Sequence, residues 1–135
     1  MKKLSGALLS FVIIMMFYFS LSAQTNEVFL VINKIDGKIV TKAVNGEKTI
    51  NFDIAGLTTK KEVDDFATKF KSMRGVVSIT VSPDAIDSKW NATAVLYKYA
   101  TKKYFQSLFT WLGIKYIMLE NTKYLTEEIQ TAKFE

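Results

Sequence analysis

An α+β fold with strands and helices in the order βαββαβ is predicted by three observations. Residues 49–54 alternate, with polar positions separating Ile50, Phe52 and Ile54. Two later segments change to a helical period: Val63, Phe66, Ala67, Phe70 and Met73, then Phe105, Leu108, Phe109 and Leu112. Short β-rich runs follow each segment, set off by Gly75, by Ser82-Pro83-Asp84 and by Gly113.

Ahead of this unit, residues 28–32 form a β-rich run and Asp36-Gly37 is a two-residue hairpin turn, with 38–44 as the returning strand. Asn45-Gly46 makes the next turn and leads into 49–54. The first helix starts at Thr59, because Thr59-Lys60-Lys61-Glu62 has the spacing of a capping box. In that motif the hydroxyl and the carboxylate each satisfy an amide that the helix leaves bare. Asp64 and Asp65 add negative charge near the positive end of the helix dipole, and Gly75 ends the helix. The strands at 76–81 and 92–99 come next, the second with Thr93, Val95 and Tyr97 on one face. A second helix over 101–112 stops at Gly113, and 114–119 is the last strand. Leu125, Ile129 and Ala132 have the spacing of a short terminal helix. The predicted whole is a ferredoxin-like βαββαβ sandwich over 49–120, with an extra N-terminal β-hairpin at 24–48 and a short C-terminal helix within 121–135.

Residues 1–23 read as a targeting segment. Lys2 and Lys3 precede an apolar run over 4–23, which ends in Ser20-Leu21-Ser22-Ala23 before Gln24, the parts of a secretory signal peptide. Cleavage after Ala23 is one expectation. An uncleaved anchor is the other, since a helix needs about 20 apolar residues to cross a hydrocarbon core. Both place the domain outside the cytoplasm, in the periplasm, with membrane contact only through residues 4–23 if they are retained. Losing the two lysines lowers the net charge of +5 by two. The remaining lysines are dispersed, so no nucleic-acid footprint is expected.

The chain has neither cysteine nor histidine. Disulfides, thiolate metal sites, cysteine nucleophiles and histidine general bases are therefore excluded. Asp64 and Asp65 are adjacent on a helix and diverge, so they make no catalytic pair. Asp84, Asp87 and Asn91 lack the spacing of a calcium loop, and Met73 and Met118 suit core filling. No catalytic residue and no cofactor are expected.

One family resemblance stands out. The run Ile50-Asn51-Phe52-Asp53-Ile54-Ala55-Gly56-Leu57-Thr58-Thr59, then Val63, Phe66 and Phe70, then Arg74-Gly75-Val76-Val77-Ser78-Ile79-Thr80-Val81 resembles a heavy-metal-associated domain. Thr93-Ala94-Val95-Leu96-Tyr97 and Leu112-Gly113-Ile114-Lys115 are similar to that family's third strand and to its Leu-Gly-Tyr approach to the fourth. The family clasps a soft ion with Gly-Met-Thr-Cys-x-x-Cys. Here Gly56, Leu57 and Thr58 fit, but the two cysteine positions hold Thr59 and Glu62, whose hard oxygens suit a soft ion poorly. The resemblance thus implies the fold with a degenerate metal site. The function it implies is an exported noncatalytic binding or interaction module of the cell envelope, with an envelope protein as partner. The alternative is a periplasmic heavy-metal-binding protein using ligands other than cysteine.

Tyr104 and Trp111 are seven apart on the second helix, at the border of its apolar stripe. They either widen the core or present an interface to a partner, for which Tyr and Trp are common anchors.

Overall fold

The computed structural model describes residues 27–131. The leader expected at 1–23 and the terminal Ala132 lie outside the described residues. Among the described residues no helix is long and apolar enough to cross a membrane.

Among the described residues the fold is mixed α and β: one seven-stranded sheet, two α-helices and a 3-10 helix. Its elements are β1 (Phe29–Asn33), β2 (Thr41–Lys42), β3 (Lys48–Ala55), α1 (Lys60–Ser72), β4 (Val76–Val81), β5 (Lys89–Leu96), α2 (Lys102–Trp111), β6 (Tyr116–Leu119) and β7 (Thr122–Leu125), then the 3-10 helix Thr126–Thr131. The sheet order is β4-β5-β3-β1-β6-β7, with β2 attached to β3. Every pairing is antiparallel except β1 with β6, where Leu30, Val31 and Ile32 lie beside Ile117, Met118 and Leu119.

The strand and helix periods decide which side chains go inward. Along β3 and β5 the buried set is Ile50, Phe52 and Ile54 with Trp90, Ala92, Ala94 and Leu96. Thr93 and Val95 therefore face away from the core. The helices cover this buried face with Val63, Phe66 and Phe70 from α1 and with Phe105, Leu108 and Phe109 from α2. All of them join one core, in which the Phe52 and Phe70 rings stack at 5.7 Å. The small Ala92 and Ala94 leave room for such large rings, the complementarity that close packing demands. The opposite face carries polar side chains: Asn33 Nδ2 donates to Asn51 at 2.9 Å, and Asn91 Nδ2 donates to Asp53 at 2.8 Å.

Two expectations at the chain's ends are corrected. The Asp36-Gly37 turn forms, bridging Ile35 and Lys38, but the returning strand of 38–44 shrinks to β2 and pairs with β3. Both edges of β1 are already taken by β3 and β6, so no ladder remains for it there. At the other end, Glu120 and Asn121 adopt positive φ (49° and 66°) and turn the chain into β7 antiparallel to β6. Leu125 therefore sits exposed in a strand, while Ile129 reaches the core from the 3-10 helix. Strand β5 also begins earlier than expected, at Lys89, after a second tight turn with positive φ at Asp87 and Ser88.

Candidate functional site

The helix start at Thr59 is built as a cap. The Glu62 amide donates to Thr59 Oγ1 at 3.2 Å, and the Glu62 carboxylate accepts the Thr58 amide at 3.2 Å. The carboxylate reaches one residue further back than in the standard box, which would take the Thr59 amide. Both side chains thus have partners within the first turn. Among the described residues no group of three or more acidic side chains is placed to hold a metal.

Tyr104 packs on the turn that follows α1 and Trp111 lies beside α1 itself, in different roles. The Tyr104 hydroxyl donates to the Arg74 carbonyl at 2.9 Å, and its ring packs 5.1 Å from Tyr97. Gly75 lies beneath the two rings with φ +98°, and a Cβ there would meet Tyr97 at 2.7 Å and the Tyr104 oxygen at 2.9 Å. Burial, and then the neighbouring Tyr97, push the Tyr104 phenol up to about 12. This residue locks the end of α1 to α2. Trp111 instead remains 42% exposed, with Lys69 Nζ from α1 5.1 Å from the centre of its ring. That contact is a cation–π pair on an open surface.

The other sequence candidates are not brought together. Met73 packs half-buried against the core, while Met118 lies beside Val31 and Lys123 on the polar face of the sheet. Asn91 is committed to Asn51 and Asp53. Asp87 sits in its turn, and Asp84 offers its backbone carbonyl to the Ser82 hydroxyl.

A concavity that periodicity did not reveal lies where the β2–β3 hairpin meets the start of α2. It measures about 560 Å³ and is lined by Lys38, Lys42, Lys48 and Lys102, with Val40 and Phe105 among its apolar residues. Lys48 Nζ donates to the Ala100 carbonyl at 2.5 Å, which ties the hairpin to the helix. These lysines are scattered in sequence, and only the return of β2 along β3 gathers them. The one early signal is at α2, whose first turn holds Lys102 and Lys103 and no acid.

Comparison of the chain with protein-family models, with curated proteins and with solved structures finds no match.

Proposed function

We propose that this chain is an exported, noncatalytic binding module of the cell envelope, built on a ferredoxin-like unit related to heavy-metal-associated domains. Support for the unit comes from strand order. With β1, β2 and β7 set aside the order is β4-β5-β3-β6, so α1 and α2 each join strands that another strand separates. This order supports a split βαβ reading, with β1 inserted between β3 and β6. At the positions corresponding to the family's thiolates, Thr59 and Glu62 are engaged in capping, consistent with a metal site converted to a helix start.

The observation that carries the interaction reading is Trp111. A large aromatic side chain left 42% exposed beside a cation on a neighbouring helix is suited to anchor a partner protein. Tyr104, in contrast, belongs to the framework. The test separates these roles. Trp111→Ala is expected to cost less than about 2 kcal/mol in denaturant unfolding, since much of its surface is already wet. The same variant is expected to lose a cross-linked partner recovered with the parent protein from envelope extracts. A loss of about 3–5 kcal/mol would make Trp111 a core residue and remove the support for this reading.

A further inference from the structure

Four lysine side chains converge on the cavity between the β2–β3 hairpin and the start of α2. A concavity lined by side chains of one sign concentrates positive potential and draws in anions. No Asp or Glu among the described residues lines the cavity. Among the described residues the ion pairs lie elsewhere, Lys34 with Glu120 and Lys115 with Glu27. Lys48 is oriented by the Ala100 carbonyl, while Lys38, Lys42 and Lys102 form no ion pair among the described residues.

The start of α2 adds a second, independent source of positive potential. Thr101 caps the helix, its hydroxyl accepting the Tyr104 amide at 3.3 Å and its carbonyl the Phe105 amide at 3.0 Å. The amides of Lys102 and Lys103 then have no acceptor within the helix. The positive end of the dipole meets lysines where an acid would stabilise it. Every charge at this point has one sign, and a bound anion reverses the balance.

Donor count selects the anion. Three lysine ammonium groups and two amides exceed what the two oxygens of a carboxylate can use. A phosphate monoester offers three terminal oxygens and a charge near −2 at neutral pH, and it fits helix starts and lysine clusters alike. The half-buried Val40 and the methylene stems of the lysines add apolar surface, which favours a phosphate carrying an organic group over the bare ion. The cavity opens near Lys48, at the far end of β3 from Ala55 and its partner Phe29, about 23 Å along the strand. The site therefore lies at the opposite end of the sheet from the N-terminal start of β1.

We propose that this cavity binds a soluble organic phosphate monoester. Its phosphate would sit between Lys42, Lys102 and the first amides of α2, with its organic group against Val40 and the lysine stems. The test titrates the ¹⁵N-labelled chain in separate arms, at fixed ionic strength, with phenyl phosphate, inorganic phosphate and phosphatidylglycerol vesicles. Phenyl phosphate is expected to shift the Thr101, Lys102 and Lys103 amides saturably and to bind at least fivefold tighter than inorganic phosphate. The double variant Lys42→Gln, Lys102→Gln is expected to lose at least tenfold in affinity while its melting temperature stays level or rises. Absence of saturable shifts overturns the proposal, as does binding that survives in the double variant. Equal affinity for inorganic phosphate removes the organic group, and vesicle binding without ester binding transfers the site to a lipid head group; either result overturns it. A lower melting temperature in the double variant would show that the lysines serve stability instead.

Discussion

The two helices of this protein begin alike and then diverge. Each opens at a threonine whose hydroxyl accepts the amide three residues on, Thr59 for Glu62 and Thr101 for Tyr104. Each buries three large apolar side chains on one face. In α1 the first turn begins with two lysines, Lys60 and Lys61, but Glu62, Asp64 and Asp65 follow them at once, and Lys69 and Lys71 stand in the last turn. In α2 the first turn carries Lys102 and Lys103 without an acid, and the last turn has no basic residue. Both helices therefore open on a pair of lysines, and the contrast is that acids offset them in α1 while none does at the start of α2. Local conflict within an otherwise consistent chain is where function is expected.

The largest effects should show no such asymmetry. Phe70→Ala in α1 and Phe109→Ala in α2 remove fully buried rings, and each is expected to cost about 3–5 kcal/mol in urea unfolding. A much smaller loss at Phe109 would break the comparison by making α2 peripheral. Next come the caps. Thr59→Ala and Thr101→Ala should each lower stability by about 1 kcal/mol, measured in the same way. Unequal costs would locate the difference between the helices in capping instead of charge.

Alkaline titration sharpens the link between them. Because burial raises the Tyr104 phenol to about 12, the folded state holds that proton where the unfolded chain, near 10, has released it. This stabilising contribution is fully present below pH 10 and is lost as pH rises through 12. Thermal midpoints are expected to fall across that window, and less steeply in Tyr104→Phe. Tyr116, also raised by burial and by Glu27, contributes equally to both proteins and cancels in the difference. The smallest effect is a gain. Lys102→Glu should stabilise the protein by about 0.5 kcal/mol at low salt, and the gain should fade in 1 M salt. A loss of stability would mean that the start of α2 is not electrostatically strained.

Much of this was legible in the sequence because it is local. The stripes of α1 and α2, the alternation of Ile50, Phe52 and Ile54, and the Thr59–Glu62 cap all rest on spacings of two to four residues. Pairings between distant segments were less accessible. The continuous apolar runs Phe29-Leu30-Val31-Ile32 and Tyr116-Ile117-Met118-Leu119 are the kind that parallel neighbours show, and these two strands do pair in parallel. The turn at Glu120-Asn121 lacks the glycine that marks Asp36-Gly37, so nothing in the sequence separates β7 from the helical spacing of Leu125 and Ile129. The lysine cavity was hidden for the same reason as the sheet order. Lys42 and Lys102 become neighbours only through the pairing of β2 with β3 and the placement of α2.

The position of β1 also governs how the chain can assemble. The first strand synthesised is bonded on one side to β3 and on the other to β6, so Leu30 finds Ile117 only when nearly all of the chain exists. Contacts of such sequence separation are slow to form, since a long loop must close before they are rewarded. The nearer pairing of β1 with β3 can form first, which leaves the other edge of β1 open until β6 arrives. The sheet is completed by its one parallel pairing, and that pairing waits until synthesis of the described residues is nearly finished.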